Sequence, residues 1–164
     1  MTRALPRVVV DTCVVVDLLT GIDPIRAERS KYVLDRHSTD YQILLPAITL
    51  TEIAGTGDIR GNHLLPEIRE ARVKAANKWI DASKFLVAEL SERLARKAAF
   101  LAVQNQLKGP DATVLATAIE WHCTRLYTRD RGILKCDGDF PGLKILEPED
   151  PPLAPPTLFG DGES

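Results

Sequence analysis

Cysteine is scarce, long apolar runs are missing and neither sign of charge dominates, and each shortage closes off a class of protein. Cys13, Cys123 and Cys136 are odd in number and show no C-x-x-C spacing, which argues against both a disulfide framework and a zinc knuckle. A reducing cytoplasm suits such a chain. No apolar stretch approaches the roughly 20 residues that span a bilayer. Arg3, Pro6 and Arg7 ahead of a short apolar segment lack the build of a signal peptide. The sequence therefore predicts a soluble, cytoplasmic protein with no membrane partner. A net charge of -2 and a pI of about 5.9 leave no overall basic footprint, so contact with nucleic acid would have to come from a local patch. There is no G-x-G-x-x-G and no G-x-x-x-x-G-K-S/T, hence no sign of a dinucleotide fold or a P-loop. His37, His63 and His122 occur singly, without the Ser or Cys context of a triad, and adjacent residues such as His122 and Cys123 point in different directions on a helix. No internal repeat is present.

What is there is a chain of 164 residues, 45% hydrophobic, enough for one sizeable core and one domain. Its first clear element is Arg7-Val8-Val9-Val10, a β-branched run ending at Asp11. Such a run reads as a strand buried on both faces in the middle of a parallel sheet. Asp11 then belongs at the strand's carboxyl end, the edge where open α/β sheets bind ligands; the alternative is a helix N-cap.

Thr12 to Leu19 fits a short helix closed by Gly21, and Asp23-Pro24 opens a second running to about His37. Gln42 to Leu45 is a strand ended by Pro46, followed by a helix from about Thr49 to Gly55 that contains Glu52. Thr49-Leu50-Thr51-Glu52 also fits a capping box, in which Glu52 would serve only the helix's own first amide. Residues 57–62 read as a loop and Leu64 to Trp79 as a helix with a charged, solvated face. Phe85 to Val87 is a third strand. Ser91-Glu92 starts a helix with Leu94, Ala98, Leu101 and Ala102 on its core face, and Gly109-Pro110-Asp111 opens another with Leu115, Ala116, Ile119 and Trp121 turned inward. Asp111 falls in a first turn, where the helix dipole favours its charge with or without a ligand. Arg125 to Tyr127 is a fourth strand, followed directly by Thr128-Arg129-Asp130-Arg131, where Asp130 can cap a short turn of helix. Leu143 to Leu146 is a fifth strand. Pro148 begins a Pro-rich tail, expected to be extended or disordered unless Leu153, Leu158 and Phe159 dock on a surface.

Strands alternating with helices predict an α/β fold, a three-layer α/β/α arrangement around a mainly parallel sheet of about five strands. In it Asp11, Glu52, Asp111 and Asp130 each fall just after a strand or in a helix's first turn. Because parallel strands share one carboxyl edge, these positions crowd four negative charges together, which repel unless a cation neutralises them. Oxygen ligands without a His or Cys cluster suit Mg2+ or Mn2+ rather than zinc. Such ions can activate a water and steady the leaving oxygen of a phosphodiester. Asp11-Thr12-Cys13 lacks the second Asp of an aspartate-nucleophile phosphatase.

Val-Val-Val-Asp11-Thr12, Glu52 after the second strand, Pro110-Asp111-Ala112 and Leu-Tyr-Thr128-Arg129-Asp130 resemble PIN-domain nucleases, including toxins of the VapC type. The resemblance spans about residues 7 to 148. It implies strand order 3-2-1-4-5, a Mg2+ or Mn2+ site at the carboxyl edge and hydrolysis of single-stranded RNA. Asp11, Glu52, Asp111 and Asp130 would bind metal, with Asp11, Asp111 and Glu52 on the main ion, and Thr128 would hydrogen-bond within the site. The expected layout is a PIN-like nuclease domain over 1–148 and a tail over 149–164. A toxin would have an antitoxin partner covering the acidic edge, and a homodimer could join two such edges into one groove. The second expectation is an inactive module that binds RNA or protein. Asp17, six positions beyond Asp11, reads as a solvated charge, and Arg129, Arg131, Lys108 and Lys135 as exposed charges near enough to contact phosphates.

Overall fold

The computed structural model describes residues 4–154. Five parallel strands, β1 (Arg7–Val10), β2 (Gln42–Pro46), β3 (Leu86–Ala88), β4 (Arg125–Tyr127) and β5 (Lys144–Leu146), form one sheet in the order β3-β2-β1-β4-β5. Val9 pairs with Leu44 on one side and Leu126 on the other, so β1 is the central strand. The fold class is the one the sequence pattern predicts, and the strand order is the one the resemblance implies. Helices α1 (Thr12–Thr20), α2 (Pro24–Asp35), α3 (Ile48–Gly55), α4 (Gly57–Arg60), α5 (Pro66–Ser83), α6 (Glu92–Asn105), α7 (Gly109–Glu120) and α8 (Arg131–Leu134) connect them.

The β1 valines show how an unbroken apolar run serves two faces. Successive side chains in a strand point to opposite sides. Val9 packs with Leu44, Leu126 and Ile145 under Leu94, Ala98 and Leu101 of α6 and Leu115 of α7. Val8 and Val10 pack with Ile43, Leu45 and Tyr127 under residues of α1, α2, α3 and α5. All three valines are essentially inaccessible. Two hydrophobic layers therefore clamp β1, and its last residue delivers Asp11 to the carboxyl edge. The backbone N–H of Asp11 donates to the carbonyl of Tyr127 at 2.9 Å, continuing the ladder one step past the strand.

Several boundaries differ from expectation, each for a local reason. Residues 57–62 include the helical turn α4 rather than a plain loop. α5 starts at Pro66, not Leu64, because a residue before proline is held extended, as Leu65 is with ψ 151. It continues to Ser83, where Lys84 turns left-handed at φ 59. β3 begins at Leu86, since Phe85 leaves the ladder to pack edge-on against Trp79 and His37. α2 stops at Asp35. His37 lies beyond it, its Nδ1 accepting from Ile43 N–H at 2.9 Å. Ile119 and Trp121 are only partly buried, whereas Leu115 and Ala116 are in the core. Residues 149–154 have no regular structure and Leu153 is 96% exposed, so it does not dock; Leu158 and Phe159 lie outside the described residues. Among the described residues no helix is long and apolar enough to cross a membrane.

α2 begins as predicted, with Asp23 accepting from the amides of Ile25 (3.0 Å) and Arg26 (3.1 Å) ahead of Pro24. Asp23→Ala should lower unfolding stability by about 1 kcal/mol, a melting shift of a few degrees for a domain of this size. An unchanged melting curve would show that the cap contributes nothing.

Candidate metal centre at the carboxyl edge of the sheet

Asp11 ends β1 and caps α1. It is 7% exposed, and both its oxygens are engaged. Oδ1 accepts from Thr12 N–H at 2.7 Å and Oδ2 accepts from the Thr128 hydroxyl at 2.7 Å. The capping role and the carboxyl-edge position are thus the same fact, not alternatives. Thr128 is fully buried at the end of β4, and its oxygen accepts from Asp130 N–H at 2.9 Å. A chain of hydrogen bonds accordingly runs from the Asp130 amide through Thr128 to Asp11. The short T-x-D spacing makes this possible, because the hydroxyl that reaches Asp11 also fixes the backbone that presents Asp130.

Asp130 Oδ1 accepts from Ile133 N–H at 2.9 Å, capping α8 as the sequence allows, which leaves its second oxygen available. Asp111 stands in the first turn of α7, partly buried. Glu52 does not close a capping box. α3 starts at Ile48, one residue before Thr49; its cap, Ala47, has no side-chain bond, and Thr49 is buried inside the helix. Glu52 Oε2 instead accepts from the Thr12 hydroxyl, across from α3 to α1. The structure thus joins Asp11, Thr128 and Asp130 by hydrogen bonds, ties Glu52 to the residue after Asp11, and sets Asp111 within the field of the others.

That field is visible in the proton affinities. Burial raises the Asp11 pKa; the bonds from Thr128 and Thr12 oppose the rise, while the charges of Glu52 and Asp130 add to it. Asp111 is raised too, by burial first and then by Asp130 and Asp11, with Lys108 opposing. Cys13 Sγ lies 3.8 Å from Asp11 Oδ2. Burial and then the Asp11 charge push its pKa up to about 12, so without a metal it is a neutral thiol and the anionic groups of the site are its carboxylates. The donor set is therefore carboxylate and hydroxyl oxygen, which fits a hard divalent cation. Among the described residues no three acidic, His or Cys side chains already enclose an ion position. Asp11, Glu52 and Asp130 each spend oxygens on internal donors, and mutual repulsion opposes closer approach.

The model of the PIN domain matches residues 8–138. The chain belongs to the PIN-domain family. No protein of curated function matches it in sequence. Among solved structures it is similar to a toxin-antitoxin complex from Klebsiella pneumoniae, at 21% identity and TM-score 0.61 over 87% of this chain and 98% of that one. It is similar also to VapC20 of Mycobacterium tuberculosis, a sarcin-ricin loop cleaving toxin, at 17% identity and TM-score 0.60 over 75% of this chain and 89% of that one. VapBC2 from Rickettsia felis, bound to a fragment of promoter DNA, matches at 16% identity and TM-score 0.56 over 86% and 97%. At these identities the likeness is one of fold.

Two features of this PIN domain were not anticipated. Asp17 is not a solvated charge. Its side chain is 11% exposed and forks onto Arg129, Oδ2 to Nε and Oδ1 to Nη2, both at 2.7 Å. Arg129 is correspondingly turned away from the acids, while Arg131, Lys108 and Lys135 are exposed as expected. Helical spacing from Asp11 gives no sign of the pairing, since the partner lies 112 positions away. The second is Thr12, whose hydroxyl anchors Glu52; its position after Asp11 in the motif was the only available signal.

A raised folded-state pKa means that the native protein binds protons more tightly than the unfolded chain. The cost of the Asp11 charge is therefore present above its folded pKa and is relieved as pH falls through it toward the ordinary value of 3.8. Asn at this position cannot titrate. Without metal, the melting temperature of wild type relative to Asp11→Asn should rise as pH is lowered from neutral toward the ordinary carboxylate value of 3.8. Parallel melting profiles would remove the claim that Asp11 bears this cost.

Proposed function

We propose that this PIN-domain protein is a Mg2+- or Mn2+-dependent endoribonuclease that hydrolyses phosphodiester bonds of single-stranded RNA in the cytoplasm. The observation that supports it is the gathering of Asp11, Glu52, Asp111 and Asp130 at one sheet edge, where burial first and the charges of acidic neighbours next raise the proton affinities of Asp11 and Asp111. Asp11, Glu52 and Asp111 would hold the main ion, and Asp130, through its free oxygen, a second ion or the attacking water. A bound divalent ion supplies a Lewis acid that lowers the pKa of its water and neutralises charge on phosphoryl oxygens. Thr128 positions Asp11 and the Asp130 backbone together, so both carboxylates keep one relative orientation. Thr12 does the same for Glu52. The similar folds described above include a toxin-antitoxin complex, and we assign this chain to the toxin side of such a pair, with a small antitoxin covering the acidic edge. Engagement of Asp11, Glu52 and Asp130 in internal hydrogen bonds favours one other reading, an inactive PIN module that binds RNA or protein.

Incubation of mixed RNAs with Mn2+ against EDTA separates the two. Cleavage should appear only with Mn2+, and cleavage in neither would favour the binding module. Asp11→Asn and Asp111→Asn should each lower turnover by at least about a hundredfold, since even groups behind metal ligands cost ten- to a hundredfold. Wild-type rates in both variants would overturn the site. Glu52→Gln should also lose activity, because the Thr12 bond survives but the ligand charge does not.

Saturating Mn2+ at about a hundred times its dissociation constant should add about 2.7 kcal/mol, raising the melting midpoint of wild type by several degrees and that of Asp11→Asn much less. Equal shifts in both proteins would place the ion elsewhere.

A further inference from the structure

Beside the acidic edge lies a cavity of about 290 Å³ lined by Arg26 and Arg29 of α2, Arg129 and Arg131 around Asp130, and Asp17, Glu147 and Pro148. Four guanidinium groups face two carboxylates there. Asp17 is committed to Arg129 and Glu147 offsets part of the charge of Arg26, Arg29 and Arg131, which leaves the lining net positive. Arg131 has no ion pair or side-chain hydrogen bond among the described residues, and Arg26 meets Asp23 only at 3.4 Å with both side chains about half exposed. Arg29 is forked: its Nε donates to Asp150 Oδ1 at 2.6 Å and its Nη2 to Oδ2 at 3.2 Å. Asp150 is the residue by which the Pro-rich tail reaches α2. A carboxylate held by two parallel bonds from a guanidinium presents the oxygens that a phosphate would present.

We propose that this arginine pocket binds a phosphodiester group of the nucleic-acid strand next to the scissile one, and that Asp150 occupies Arg29 until the strand displaces it. The proposal rests on the nuclease reading for its ligand. The geometry supports it in three ways. Arg129 and Arg131 flank Asp130 in the chain, so a strand lying across the acids runs on into the pocket. The Arg129 and Asp17 fork keeps Arg129 from reaching the acids, while Arg131, next to Asp130, carries positive charge from the acids into the pocket. The Asp150 side chain is 69% exposed and that of Arg29 38%; pairs so exposed stabilise little, so a phosphodiester, which offers the same unit charge and two oxygens and can also meet Arg131, can replace the carboxylate. The tail then lowers affinity for short or weakly held strands without blocking the acids.

The test is equilibrium binding of a fluorescent single-stranded RNA oligonucleotide to the full chain in EDTA, where no cleavage occurs, across a series of salt concentrations. Arg131→Gln and Arg29→Gln should each raise Kd roughly five- to tenfold, the scale of one solvent-exposed hydrogen bond. Each should also flatten the slope of log K against log salt by about 0.7, the contribution of one phosphate on a single strand. Asp150→Asn should lower Kd, and Glu149→Gln, which removes the same charge from the neighbouring residue, should lower it less. Wild-type Kd and slope in both arginine variants would overturn the pocket. Equal tightening by Asp150→Asn and Glu149→Gln would overturn the displacement by showing a net-charge effect alone. Because binding is read without metal, loss of the nuclease reading in the Mn2+ assay leaves this test standing, and the reverse also holds.

Discussion

Everything at the carboxyl edge follows from holding one ionised carboxylate where water barely reaches. Asp11 sits at the end of the central strand with 7% of its surface exposed, and a charge so placed is costly unless its oxygens are bonded. Two donors meet that need, the Thr12 amide and the Thr128 hydroxyl. They come from the two elements that must be fixed for the site to exist, the start of α1 and the end of β4. Thr128 passes the constraint to the Asp130 amide, and Thr12 passes it to Glu52. The raised pKa of Asp11 shows that these bonds do not fully offset burial and the neighbouring charges. A hard cation is the natural completion of such a set.

The central layer of this fold was legible because its sequence signals are redundant. The β1 valines, the glycine after α1, Asp23-Pro24 and Gly109-Pro110 all state element type and boundary locally, and a parallel sheet follows from strands alternating with helices, while the strand order came from the PIN-domain resemblance. The positions of Asp11, Asp111 and Asp130 were legible for the same reason, since each stands just past a strand or in a helix's first turn, whereas Glu52 lies further along α3. Legibility failed where the deciding partner is remote in sequence. The capping box at Thr49 is a sound local pattern, but burial of Thr49 starts α3 a residue earlier and sends Glu52 to Thr12, 40 positions away. Asp17 looks like a surface charge until β4 brings Arg129 beside it. The 57–62 segment has too few apolar residues for a helix signal, yet Ile59 is buried and α4 forms around it.

The same remoteness shapes the electrostatics of the edge. Arg129 immediately precedes Asp130, and an arginine free to swing there would compete with any cation for the acids. Its fork with Asp17 prevents that, at a position where neither residue is fully solvated. The acids around Asp11 therefore adjoin a pocket in which four arginines outnumber Asp17 and Glu147, a layout that suits the proposed nucleic-acid ligand.

The central claim is that the four carboxylates share a hard divalent ion at this edge. Anomalous diffraction from a crystal grown with Mn2+ addresses it most directly. The account predicts a manganese peak in contact with a carboxylate oxygen of Asp11 and one of Asp111, with Glu52 or Asp130 completing the set. A fully occupied peak bound only by residues away from the carboxyl edge, or none at saturating Mn2+, would contradict it.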